Sequence, residues 1–409
     1  MNIGIIGSGV TGVTTADALL HRGHNVTVIE RHPYAAMETS FANGGQLSAS
    51  NAEVWNSWGT IAKGLKWMFK QDAPLLMNLR PSWHKYSWLA EFMAAIPHYR
   101  SNTANTVKLA IDARKLLFEI AEREALDFDL ERRGILHFYH DAKSFKNAER
   151  VNKILNESGL ERHAVTDAEI KQIEPTLHGA FYGGFYTPSD ATGDIHKFTF
   201  GLARACRRRG ATFINQASVT DLTVRDRAIQ VRIAPNDTQH AFQDIAFDRV
   251  VICAGVGSRR LAALNRDHVN VYPVKGYSIT VHLDDDISQE AGPKVSLLDD
   301  AAKIVTSRLG VDRFRVAGTA EFNGFNLDIR ADRIKPLVDW SRRLFPEMST
   351  RRTTPWAGLR PMMPNMMPTV RQSRVPGIFY NTGHGHLGWT LSAVTAQLVA
   401  RAIDTAPRP

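Results

Sequence analysis

The stretch GIIGSGVTGVTTADALLHRGHNVTVIER, residues 4–31, leaves few folds open. An apolar run at residues 3–6 leads into Gly7, Gly9 and Gly12 in G-x-G-x-x-G spacing, and a second apolar run ends on Glu30. A strand, a glycine turn, a helix and a second strand of this length predict a Rossmann-type βαβ unit that holds a dinucleotide. Gly7 permits the tight turn, Gly9 lets the backbone approach a pyrophosphate, and Gly12 lets helix and strand pack closely. Free N–H groups at the helix start, around Val10 and Thr11, face the phosphates. Glu30 is placed to accept hydrogen bonds from the adenosine ribose, with Arg31 next to it as a further cofactor contact. The stretch by itself does not separate NAD from FAD.

The chain has 409 residues, enough for about two domains. Its hydrophobic content of 44% and charged content of 22% are those of a globular protein. Two cysteines, Cys206 and Cys253, exclude a disulfide framework or a cysteine-based metal site and suit a reducing cytoplasm. The first residues read as a strand rather than a secretory signal, and no run of 18 apolar residues occurs, so the expected location is cytoplasmic. The net charge of +9 raises the question of a nucleic-acid partner. Its densest cluster, Arg207, Arg208 and Arg209, instead closes a probable helix before Gly210, where cations complement the helix dipole. No helix-turn-helix, RNP or zinc-finger pattern accompanies the charge, so no nucleic-acid partner is expected.

Further along, residues 107–125 carry apolar side chains at helical spacing. Short β-like runs at 134–139 and 180–187 precede a helix at 195–209 and strands near Thr212 and Val219, at 228–233 and at 247–253. Alternating patterns at 272–283 and 313–320 predict an antiparallel sheet. The chain closes with GIFYNTGHGHLGWTLSAVTAQLVARAI, a strand, a glycine-rich turn and a helix. That turn again presents backbone N–H groups at a helix start to an electron-rich ligand. Two such loops at opposite ends of the chain suggest one extended cofactor. FAD meets that requirement better than NAD, because its ring is gripped far from its pyrophosphate.

Eight segments in order carry a resemblance: GSGVTGVTTADAL (7–19), ETSFANGGQLS (38–48), LKWMF (65–69), VVICAGVGS (250–258), PVKGYSIT (273–280), AGTAEFNGFNLDI (317–329), WAGLRPMMP (356–364) and NTGHGHLGWT (381–390). Over nearly its whole length the chain resembles the FAD-dependent D-amino acid oxidase superfamily, and most closely the bacterial D-amino acid dehydrogenases. The resemblance implies an α/β fold: a glutathione-reductase-like FAD-binding domain (1–128, 190–268 and 355–409) interleaved with an α+β substrate domain (129–189 and 269–354) containing an antiparallel sheet. It implies that Thr39, Ser40, Asn43, Gly44, Gly45 and Gln46 run beside the ribityl chain and flavin, as short polar residues and glycines suit a hydroxyl-rich chain. It further implies backbone contacts to the adenine from Val219, close passage of Ala254 and Gly255, and a flavin lined by Gly383, His384, Gly385, His386, Leu387 and Gly388. Neither cysteine stands where a thioether link to the ring is expected, so the FAD is expected to be noncovalent.

By the same resemblance Arg360 holds the substrate carboxylate, a task that suits a planar, permanently charged guanidinium. Tyr277 is a second candidate substrate contact, Lys275 a weaker third, and His386 a candidate for proton transfer. The implied reaction passes a hydride from the amine-bearing carbon to flavin, giving an imine that water hydrolyses to an oxo acid. Two substrate classes stay open, a primary D-amino acid and a secondary amine acid such as iminodiacetate, an N-substituted glycine, D-proline or hydroxyproline. Where the dehydrogenases commonly carry an acid and a glycine after the RPM motif, this chain has Asn365 and Met366, which puts the pocket roof and the secondary-amine class in question. An RNA-modifying flavoprotein is a remote third reading. The electron acceptor is oxygen or a quinone. Residues 54–98, with Trp55, Trp58, Trp67, Trp83 and Trp88, suit a lid, an interface, core packing or a peripheral contact with the inner membrane.

Overall fold

The computed structural model describes residues 1–67, 74–236 and 241–407, without the side chains of Lys63, Leu65, Lys66 and Trp67. The strand Asn2–Ile6 pairs in parallel with Asn25–Ile29 on one side and Arg249–Ile252 on the other. Thr212–Ile214 and Ile378–Thr382 extend this sheet in parallel, and Thr369–Gln372 adds an antiparallel edge. The strands read as near-continuous apolar runs because both faces are covered. Helices Val10–Leu20, Tyr99–Arg123, Ile195–Arg208 and Gly388–Thr405 pack on one face around Val13, Leu117, Phe198 and Trp389. On the other lies an antiparallel meander of Ala217–Arg225, Ala228–Pro235 and Gln243–Phe247.

The helix Ile195–Arg208 shows how local chemistry sets these elements. The Asp194 carboxylate accepts from the backbone N–H groups of His196 and Lys197 at 2.9 and 3.1 Å and caps its start. Gly210 at φ +93° turns the chain out after the basic run. Arg209 also pairs with Asp17 at 3.3 Å and with Glu124, so this part of the positive charge is internally matched.

A second, mixed sheet of nine strands is built around Tyr272–His282, which pairs antiparallel with Thr353–Met362 and Arg313–Phe322. Ile304–Leu309, Ser296–Asp299, Ile135–Tyr139, Gly183–Thr187 and His163–Val165 follow, and Leu75–Met77 runs beside Arg313–Phe322. Helix Ala331–Leu344 covers one face through Leu337, Trp340 and Leu344. Two domain boundaries read from the sequence move accordingly. Residues 355–362, assigned to the cofactor domain, belong to this sheet through Thr353–Met362, and so does Leu75–Met77. The 3.3 Å rise of a strand carries a long strand from one domain to the other, and composition does not mark the crossing.

Within 54–98 lie helices Trp58–Trp67 and Trp83–Ala94; residues 68–73, which include part of the LKWMF motif, fall outside the described residues. Trp88 is buried, whereas Trp58 and Trp83 are 69% and 81% exposed, so the segment is only partly core. Among the described residues no helix is long and apolar enough to cross a membrane.

Candidate active site

A continuous cavity of about 1100 Å3 is lined by both sheets and by the glycine turns at the two ends of the chain. At one end Gly7, at φ +102°, donates its N–H to the Ile29 carbonyl at 2.9 Å. A Cβ at Gly12 would overlap the Gly7 carbonyl oxygen, so Gly12 serves the packing of turn on helix and does not itself line the cavity. Gly9, Val10 and Thr11 do line it. The Val10 N–H donates to Ser40 Oγ at 3.0 Å, tying the helix start to the next loop.

Glu30 is 7% exposed, and its Oε2 accepts from the Ser8 N–H and Oγ at 2.7 and 2.8 Å. Its Oε1 accepts from the His32 N–H at 2.9 Å, which fixes the carboxylate at the cavity wall. Arg31 stands next to it, paired with Glu38. Ala254, Gly255 and Val219 border the same end. The Val219 carbonyl accepts from Arg260 Nη2 at 2.6 Å, a cavity residue that no sequence motif announced.

The middle stretch carries Thr39, Ser40, Asn43, Gly44, Gly45 and Gln46 along the wall. Thr39 Oγ1 donates to the Leu359 carbonyl at 2.8 Å, Asn43 Oδ1 accepts from the Gly45 N–H at 2.9 Å, and Gln46 Nε2 donates to Ser296 Oγ at 2.8 Å. A Cβ at Gly44 would stand 2.7 Å from Val305 Cγ2, and Ser307 Oγ donates to the Gly44 carbonyl at 2.7 Å. The loop therefore threads tightly against the second sheet, which needs glycine at this approach.

At the far end Gly383 and Gly385 adopt φ of +76° and +59°, and Leu387 and Gly388 lead into the terminal helix. The His384 ring nitrogen Nε2 lies 2.9 Å from Thr395 Oγ1, and burial pushes its pKa down to about 3. His386 stacks on Trp55 with ring centroids 4.7 Å apart, and its Nε2 donates to the Asn51 carbonyl at 3.2 Å. Burial, aided by the charge of Arg360, lowers its pKa to about 4. His386 is thus neutral at pH 7 and has no proton to give as an imidazolium.

Arg360 lies against Gly276 of the neighbouring strand, where a Cβ would overlap its guanidinium. Its Nη1 donates to the Thr319 carbonyl at 3.0 Å, and among the described residues no carboxylate lies within ion-pair distance. Burial pushes its pKa down to about 10, so it stays charged at neutral pH. Tyr277 borders the same cavity. The Tyr277 hydroxyl donates to Glu321 Oε2 at 2.6 Å, and Lys275 Nζ donates to Asn326 Oδ1 at 2.7 Å. Alternation along Tyr272–His282 sends the side chains of Lys275 and Tyr277 to one face, while Gly276 and Ser278 look toward the Arg360 guanidinium and the Ala42 carbonyl. Tyr277 borders the cavity with its hydroxyl engaged by Glu321, and Lys275 does not line it.

Asn365 and Met366 also fall elsewhere. Asn365 is exposed on a turn, where its Oδ1 accepts from the Met367 N–H at 3.1 Å, and neither residue lines the cavity. Cys206 and Cys253 are buried, with Sγ 3.9 Å from the Val13 carbonyl and 3.8 Å from Thr15 Oγ1. Burial raises both thiols, Cys253 to about 12.

The family described as FAD dependent oxidoreductase matches residues 2–402. The chain belongs to this family. It is 63% identical over 401 residues to D-amino acid dehydrogenase 3 of Mesorhizobium japonicum, covering 98% of this chain and 96% of the relative. It is 38% identical to the D-amino acid dehydrogenase of Dechloromonas aromatica over 410 residues, covering 99% and 97%. Glycine oxidase from Geobacillus kaustophilus superposes with a TM-score of 0.75 at 21% identity, covering 99% of this chain and 95% of that one, a likeness of fold. FAD is the cofactor, and the glycine cradle at one end of the cavity and the glycine-rich turn at the other fit a molecule of that length and charge.

Proposed function

We propose that this oxidoreductase deaminates a D-amino acid oxidatively. The observation that carries the reading is Arg360, a charged guanidinium inside the cavity with a carbonyl but, among the described residues, no carboxylate as its partner. Bound FAD supplies the two-electron oxidant that takes a hydride from the amine-bearing carbon. Arg360 grips the substrate carboxylate through two parallel hydrogen bonds and so fixes where that carbon lies. Gly276 leaves the room the guanidinium occupies. His386, held neutral by burial and bonded to Asn51, contributes shape and water exclusion rather than charge, and Trp55 stacked on it closes the wall. The imine so formed leaves for hydrolysis to an oxo acid and ammonia.

The 63% identity to a D-amino acid dehydrogenase supports the primary amine over the secondary one. Asn365 and Met366, which drew attention to a secondary amine, line no part of the cavity. The FAD is held without a thioether link, since Cys206 lies in the cofactor-domain core and Cys253 stands beside Ala254 and Gly255, at the end of the cavity away from the flavin. Electrons leave to a quinone rather than to oxygen, with Trp58, Leu79, Trp83 and Tyr86 touching a membrane surface; the support is the exposure of these apolar side chains, from 48% to 81%.

Anaerobic mixing of the yellow protein with D-alanine, D-proline, sarcosine and iminodiacetate tests the reading. Rapid loss of visible flavin absorbance with D-alanine is expected, and slow recovery in air. Bleaching by the secondary amines alone would overturn the substrate class. Flotation with anionic liposomes, lost in a Trp58→Ser/Trp83→Ser variant, checks the membrane contact.

A further inference from the structure

Part of the cavity wall serves none of the steps above. Glu53, Tyr139, Arg162 and Lys303 line it away from Arg360, whose surroundings are Thr319 and His386. Residues 51–56 alternate: Ala52, Val54 and Asn56 are buried in the protein, while Asn51, Glu53 and Trp55 face the cavity. Two residues of extended chain span roughly 7 Å, so Glu53 stands one step along the wall from the Trp55 ring that packs on His386.

Two cations of this wall, Lys303 and Arg162, lie near enough to Glu53 to favour its charge. Lys303 pairs with Asp300. Arg162 directs Nη2 to His137 Nδ1 at 3.0 Å and Nη1 to Asn152 Oδ1 at 3.3 Å, with its plane over the Phe185 ring at 4.6 Å. Glu53 Oε1 accepts from the Tyr99 hydroxyl at 2.6 Å, while among the described residues Oε2 has no donor and no cation lies within ion-pair distance. An enclosed carboxylate in that state is costly unless something supplies a counter-charge. Burial raises its pKa, and the Tyr99 hydrogen bond with the charges of Lys303 and Arg162 acts against that rise.

We propose that Glu53 is a specificity-determining residue that receives the positive end of a long basic side chain, an amine or a guanidine, on the amino acid whose carboxylate Arg360 holds. Such a substrate offers three or four methylenes between its two ends, and a short substrate such as D-alanine leaves Glu53 unused. The inference rests on the substrate reading proposed above.

The test compares kcat/KM for D-lysine and for D-norleucine, which has nearly the same length without the charge, on the FAD-loaded full chain. Wild-type protein is expected to favour D-lysine by about tenfold or more, and Glu53→Gln to reduce that ratio by about 10- to 100-fold. A wild-type protein that handles D-norleucine as well as D-lysine overturns the inference without any variant. Tyr99→Phe keeps the carboxylate and should keep most of the preference; a loss equal to that in Glu53→Gln would mean that Glu53 acts through packing, and the inference falls. If D-alanine and both longer substrates all fail to bleach the flavin, the substrate reading itself fails. Oxidation of D-alanine and D-norleucine with no preference for D-lysine defeats this inference alone.

Discussion

Arg360 brings a full charge into a buried place where, among the described residues, the Thr319 carbonyl is the acceptor that answers it. Removing the fork but keeping the length, Arg360→Met, should lower kcat/KM by roughly 10²- to 10³-fold, mainly through KM, with the flavin spectrum intact. Arg360→Lys keeps the charge and should lose less. The two cavity histidines make a prediction of opposite character. Both have folded pKa values below the unfolded value near 6.5, about 3 for His384 and about 4 for His386. Between those limits the unfolded chain binds more protons than the folded one, so stability rises with pH. The contribution is full above about pH 6.5 and is lost as pH falls toward 4. Melting temperature followed from pH 7 to 4.5 should fall, and His384→Asn should flatten that fall relative to wild type. The candidacy of Arg360 came from the resemblance carried by its WAGLRPMMP motif. The partner of the Tyr277 hydroxyl, Glu321, was not legible, because strand pairing decides which side chains meet.

At the scale of elements, the two strands Tyr272–His282 and Thr353–Met362 build the substrate end jointly, with Gly276 opposite Gly358 and Arg360 folded over it. Gly276→Ala would push the guanidinium aside, since a Cβ there overlaps it. A loss of about 10- to 100-fold in kcat/KM with normal flavin content is expected, measured beside the FAD-to-protein ratio. Gly12→Ala acts on another element. Its Cβ would overlap the Gly7 carbonyl oxygen, and the purified protein should come out colourless or nearly so. The N-terminal βαβ unit was readable because each of its glycines answers a local steric demand. Helix Tyr99–Arg123 begins eight residues before the periodic stretch at 107–125, because its first turns carry polar residues that periodicity does not register.

Across the whole molecule, the cavity is walled by two sheets that are not contiguous in sequence, so cofactor and fold are thermodynamically linked. Stripping FAD should lower the melting temperature by several degrees, and titrating it back should restore it in proportion to the logarithm of free FAD. If apoprotein and holoprotein melt together, the cavity does not couple the sheets. The interleaving of the chain, with Leu75–Met77 and Thr353–Met362 crossing into the second sheet, is decided by strand pairing between distant segments. Hydrophobic alternation predicts that a strand exists but not which partner it takes.

By itself the sequence determined the dinucleotide turn and the second glycine turn at the opposite end of the chain, because these depend on a few residues whose steric requirements are local, while Arg360 entered through the resemblance of its motif. Only the tertiary structure decided that the Tyr277 hydroxyl is taken up by Glu321 and Lys275 by Asn326, that Asn365 stands on an outer turn, and that Glu53 faces the cavity with the Tyr99 hydroxyl as its donor. Those outcomes depend on which strands meet, at which register and on which face, and no local run of residues carries that information.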